Sequence, residues 1–195
     1  MNRRTGFPAL FALLLVVVLA TSCAWVPQEA RLRIDAATAA SDAGRGVRVA
    51  VKVHDRRPES VLGHRGIDSD NATITTRQNL VVLFRDAVIE GLARKGFKAT
   101  DYDGETPLVL SVEIRKVQYS TDMEFWKGIV KTEAWLVASM HKGGVRFEQN
   151  YTGKRQMTSV EAPRAKTNER LLNEAISEAV RTMIEDPNLL RFITE

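Results

Sequence analysis

Val47-Arg48-Val49-Ala50-Val51-Lys52-Val53 is the stretch that decides the fold class. Every second residue is valine, so one side of an extended chain is wholly β-branched while the other carries Arg48, Ala50 and Lys52. Side chains alternate across a strand, so this pattern reads as a strand with one face on a core. Such a face needs a covering layer, and the residues around 75–96 offer one. Leu80, Leu83, Phe84, Ala87, Val88 and Leu92 recur at helical spacing and form a single apolar stripe. Thr75-Thr76-Arg77-Gln78 has the form of a capping box at its start. Arg94 and Lys95 suit the negative end of the helix dipole, and Gly96 permits a left-handed cap.

Downstream the period of two returns three times. Leu108, Leu110, Val112 and Ile114 share a face, as do Val130, Thr132, Ala134, Leu136, Ala138 and Met140. Val145, Phe147, Gln149 and Tyr151 follow the tight-turn signal Lys142-Gly143-Gly144. Residues 165–184 then carry Leu171/Leu172, Ala175/Ile176, Ala179/Val180 and Met183/Ile184, a second amphipathic helix. Asp186 and Pro187 end it and start a last short helix. The order strand-helix-strand-strand-strand-helix predicts an α+β fold. It has a sheet of about four strands, mostly antiparallel, with two helices packed on one face. A right-handed crossover through the first helix is expected to bring the first strand beside the others.

Outward to the N-terminus the character changes. Arg3 and Arg4 precede an apolar run through residues 7–20, too short to span a bilayer comfortably as a helix. Together they read as an export signal. The small residues Ala20-Thr21-Ser22 lead to Cys23, the chain's one cysteine. This arrangement resembles the bacterial lipoprotein signal, which is cut immediately before a cysteine that then carries the acyl chains. Two or more chains give stable anchoring. Ala24 follows, where aspartate tends to retain a lipoprotein in the inner membrane, so the pattern resembles an outer-membrane address. The expected division is a leader over 1–22, a lipidated Cys23 with tether over 23–45, and one periplasmic domain over 46–195. Loss of Arg3 and Arg4 lowers the net charge from +4 to +2. That balance carries no basic stripe of the kind nucleic-acid binding shows.

The chain resembles the YajG-type family of Gram-negative envelope lipoproteins. Besides Cys23, the residues that carry the resemblance are Val49-Ala50-Val51-Lys52-Val53-His54-Asp55-Arg56-Arg57 with Leu62-Gly63, and the helix end Arg94-Lys95-Gly96-Phe97. The strand over residues 108–119 and the terminal Asp186-Pro187-Asn188-Leu189-Leu190-Arg191-Phe192-Ile193 complete it. The resemblance implies location and fold rather than an activity.

No constellation of side chains argues for catalysis. Gly-x-Ser-x-Gly and Ser-x-x-Lys are absent, and Gly44-Arg45-Gly46 and Gly143-Gly144 lack phosphate-loop spacing. His54, Asp55, His64, Asp68 and Asp70 match no compact ligand spacing, so no metal is expected. Asp55 is expected to pin the loop after the first strand by a charged hydrogen bond to Arg56 or Arg57. Trp126 and Trp135 read as core or half-buried sheet residues. Two helices cover one face of a sheet, and Ile129, Trp135 and Val137 stand on the other, mixed with Lys131 and Glu133. Asp55, Arg56, Arg57 and Trp135 are therefore the candidate partner-binding residues. The expectation is an outer-membrane lipoprotein facing the periplasm, not an enzyme, without cofactor or metal. Its partners are the membrane through Cys23 and an envelope protein or a second copy, and not nucleic acid. The rivals are a hydrolase of cell wall or lipid and a carrier of a small apolar ligand.

Overall fold

The valine strand, β2 (Arg48–Asp55), lies inside a sheet of eight strands. The computed structural model describes residues 26–66 and 71–195. The expected leader and Cys23 lie outside these residues, as do Asp68 and Asp70. In chain order the other strands are β1 (Gln28–Glu29), β3 (Gly63–His64), β4 (Thr73–Thr75) and β5 (Lys98–Asp101). They continue with β6 (Val109–Glu124), β7 (Lys127–Lys142) and β8 (Val145–Ser159). The helices among the described residues are α1 (Leu80–Arg94), α2 (Ala165–Glu185) and α3 (Pro187–Thr194).

Val49, Val51 and Val53 are buried with Phe84, Val88 and Leu92 of α1 in one core. Leu110, Val112 and Ile114 of β6 and Ala134, Leu136, Ala138 and Met140 of β7 join it, with Leu172, Ile176, Val180 and Met183 of α2. The two long helices touch where Gly91 faces Ile184. Strands β6, β7 and β8 form an antiparallel meander, and the β7–β8 turn places Gly143 and Gly144 at positive φ. Two successive left-handed residues match the strand twist of a tight hairpin, and glycine adopts them without strain.

A sheet of about four mostly antiparallel strands is not what forms. The sheet is mixed: β2 pairs parallel with both β5 and β6, β1 with β4, and β3 with β6. The chain leaves β2, crosses through α1 and returns beside it in β5, and such a return is parallel. The extra strands escape a periodicity reading for a physical reason. β1, β3 and β4 have two or three residues, too few to alternate. β5 is Lys-Ala-Thr-Asp at a mostly exposed edge, where backbone pairing and not side-chain burial makes the strand.

The segment before β2 is packed on the helices, and Ala30, Leu32 and Ala36 are buried. Side-chain amides and a hydroxyl hold its backbone as a neighbouring strand would. The Leu32 N–H donates to Gln78 Oε1 at 2.5 Å and Gln78 Nε2 donates to the Leu32 carbonyl at 3.0 Å. The Arg33 N–H donates to Asn173 Oδ1 at 2.9 Å and the Asp35 N–H to Ser177 Oγ at 2.9 Å. Gln78 is thus engaged outside the helix it was expected to cap. The cap of α1 is Asn79, whose Oδ1 accepts from the Val82 N–H.

Candidate functional site

β6 is paired along one edge by β7, but its other edge changes partner. β2 accompanies Val109–Ile114 and stops, and β3 meets β6 only at Tyr119. The register slips between Ile114 and Lys116, which leaves Arg115 unpaired in a bulge. Residues 56–62 arch across the interval, tied at one end by Arg56 N–H to the Ile114 carbonyl and at the other by Tyr119 N–H to the Leu62 carbonyl. The result is a groove of about 430 Å³ lined by Arg56, Arg57, Val61, Arg115, Lys116 and Trp135, among others. Bulges re-aim side chains in this way.

Trp135 sits opposite Lys116 in the β6–β7 pairing and is 40% exposed. Its indole N–H donates to Asn150 Oδ1 at 3.0 Å, which fixes the ring as one wall of the groove. Asp55 accepts from the Arg57 guanidinium three times, from Nε at 3.0 and 3.3 Å and from Nη2 at 2.9 Å, and once from its backbone N–H. Burial alone would raise the Asp55 carboxyl, but the Arg57 hydrogen bonds and charge outweigh it and hold it below its ordinary value. Lys116 lies 2.7 Å from Glu133 and, with Lys154 at 3.2 Å, lowers that carboxyl against the opposing effect of burial. Arg115 pairs with Glu113. Two guanidinium donors of the groove lining are left without a partner among the described residues. Arg56 is exposed with no carboxylate within salt-bridge distance, and Arg57 Nη1 is buried with no hydrogen-bond partner. An unpaired buried N–H is costly and marks a place where an acceptor is missing.

The structure therefore brings Arg56, Arg57 and Trp135 into one groove, and gives Asp55 the work of holding Arg57. Sequence reasoning missed Arg115 and Lys116, because nothing in an alternating strand announces the bulge that turns them toward the groove. Trp126 is not a sheet residue of the core. It stands in the β6–β7 turn and is 64% exposed. The histidines do not converge. His54 lies beside Glu113 on β6 and His64 beyond Tyr119, about 20 Å apart at the usual rise per residue. Among the described residues no group of three or more His, Cys, Asp or Glu gathers as metal ligands would. No described helix is long and apolar enough to cross a membrane.

The chain is similar to several solved structures at low identity. A Xanthomonas campestris protein is 12% identical over 82% of this chain and 92% of its own, with a TM-score of 0.55, a likeness of fold alone. The lipoprotein GNA1162 from Neisseria meningitidis is 10% identical, covering 65% of this chain and 92% of its own at a TM-score of 0.31. The PelC dodecamer from Paraburkholderia phytofirmans is 14% identical, covering 72% and 93% at a TM-score of 0.32. No curated protein matches the chain. The model of one family, described as uncharacterized lipoprotein, matches residues 35–194. That span starts in the segment bound to the helices and ends with α3, so it takes in nearly all of the packed fold, and the chain belongs to this lipoprotein family.

Proposed function

We propose that the chain is a YajG-type outer-membrane lipoprotein, anchored through acylated Cys23 and facing the periplasm. It acts without catalysis, by offering the groove around Trp135 to an envelope protein. The observation that carries this reading is the groove itself: an aromatic wall, the free guanidinium of Arg56 and the unpaired Nη1 of Arg57 on a sheet face that no helix covers. A partner segment with a carboxylate and an apolar side chain would satisfy all three. The carrier alternative needs space between sheet and helices. There a Cβ on Gly153 would already lie 1.9 Å from the Ala175 carbonyl oxygen, which speaks against a cavity at that contact. The hydrolase alternative has no nucleophile and base within reach of each other in the groove.

Three expected results test the reading. Palmitate-analogue labelling in cells should mark the wild type and leave Cys23→Ala unmarked. Equal labelling of both ends the lipid-anchor proposal. A photoreactive residue at Gln118, on the groove rim, should capture a partner in cells, and Trp135→Ala and Arg56→Glu should each weaken the capture about tenfold, as loss of about 1.4 kcal/mol does. An adduct of twice the chain mass would identify a second copy as the occupant. Trp135→Ala should change folding stability by no more than about 1 kcal/mol, as expected for a site outside the core. A loss of about 3 kcal/mol or more would place Trp135 in the core and end the interaction reading.

A further inference from the structure

Among the described residues nine large hydrophobic side chains are exposed, and five of them gather at one end of the sheet: Val26, Met123, Phe125, Trp126 and Val160. Met123, Trp126 and Val160 line a cleft of about 290 Å³ together with Arg65. Arg65 Nη1 donates to the Val26 carbonyl at 3.2 Å, which brings the start of the described chain to the same rim. Phe125 projects from the β6–β7 turn and is 93% exposed. It holds φ at 55°, a conformation that glycine or asparagine takes more readily. Lys127 Nζ lies 4.9 Å from the Trp126 ring centroid. Fold stability gains nothing from a phenylalanine and a tryptophan in water at a strained turn. A contiguous apolar patch of this kind marks a contact surface. Tryptophan beside lysine is the composition found at the boundary between bilayer and water, where an amphipathic ring keeps one part apolar and one part wet.

We infer that the β6–β7 turn, with Val26 and Val160, inserts into the lipid headgroup region as a second membrane contact beside the acyl anchor. This rests on acylation of Cys23, proposed above. Distance selects lipid over other occupants. Cys23 precedes Val26 by three residues, so its Cα can lie no farther than about 11 Å from that of Val26. There is little slack behind it, because Gln28 is buried and bonded to Ala165 and Asn168. Acyl chains in a bilayer therefore bring this end of the sheet to the surface. One flexible link would leave the domain free to swing, and the aromatic turn fixes its attitude. β7 then runs away from the membrane and carries Trp135 nine residues from Trp126, about 30 Å into the aqueous space. The groove would be held at that height.

The test uses the full chain, exported and processed in cells, then reconstituted into phosphatidylethanolamine–phosphatidylglycerol vesicles with brominated acyl chains. Bromine quenches only tryptophan at membrane depth. Labelled wild type should be quenched, Trp126→Phe should lose at least half of that quenching, and Phe125→Ser should reduce it about twofold with an unchanged melting curve. Quenching that does not depend on Trp126 or Phe125 in acylated protein overturns the inference. So does a dimer that Phe125→Ser dissolves without any bromine effect. If the wild type takes no palmitate label, the anchor reading has failed, and the two are then separated by the same vesicles. Trp126-dependent quenching of the unacylated chain upholds the turn as a membrane contact, and its absence overturns it.

Discussion

Gly153→Ala is expected to destabilise the domain by about 3 kcal/mol, the upper part of the range for overpacking a closed contact. Gly153 lies in β8 opposite Ala134, directly beneath α2. A Cβ there would lie 1.9 Å from the Ala175 carbonyl oxygen and 2.8 Å from the Ala179 amide nitrogen. The obstructing atoms are helix backbone, so no rotamer change relieves the clash, and α2 itself must lift. That movement loosens the packing of Leu172, Ile176, Val180 and Met183 against the sheet. Its φ is not in the left-handed region, so alanine suffers no backbone strain and even gains slightly by restricting the unfolded chain. The net loss is therefore a lower bound on the cost of disturbing the helix–sheet contact. Urea unfolding followed by circular dichroism measures it, and a change under about 0.5 kcal/mol would mean that α2 does not rest on β8 as described.

Asn168→Leu should cost about 2–4 kcal/mol, because it strands two buried polar groups at about 1–3 kcal/mol each. Asn168, fully buried at the start of α2, accepts from the Tyr119 hydroxyl at 2.9 Å and donates to Gln28 Oε1 at 3.0 Å. Gln28 Nε2 completes the chain by donating to the Ala165 carbonyl. Burial raises the Tyr119 phenol above its ordinary value, against the weaker effects of Thr121 and Arg65, so it stays a neutral donor. The network ties β1 to α2 and β6. Its loss should speed amide exchange in β1 and at Ala30, whose N–H donates to the Thr75 carbonyl, more than in β7. Adding Tyr119→Phe to Asn168→Leu should recover about 1 kcal/mol by removing one stranded group. An additive loss in the double variant would show that Tyr119 and Asn168 do not interact.

The membrane-facing turn shows how a site hides in plain sequence. Met123-Glu124-Phe125-Trp126-Lys127 joins two strands whose alternation is clear, and its aromatic residues look like more of the same apolar supply. The signal that separates them is their position in a turn of two residues, with no sheet face to pack on. Trp135 was legible because the strand around it was apolar on both sides while the helices could cover only one. The groove beside it was not, because it is made by absences: β2 ends, β3 has not begun, and Arg115 slips the register.

Periodicity alone was enough for α1, α2, β2 and the three long strands, since each buries one face and the apolar spacing records which. The short strands, the parallel pairings and the packed course of residues 28–46 were decided only in the tertiary structure. Their stabilising partners are backbone groups and distant side chains such as Gln78, Asn168 and Asn173. Burial leaves a repeat in the chain, because a face must be apolar along its length. A hydrogen bond across more than forty residues leaves none, because each partner is an ordinary polar residue until the fold brings the two together.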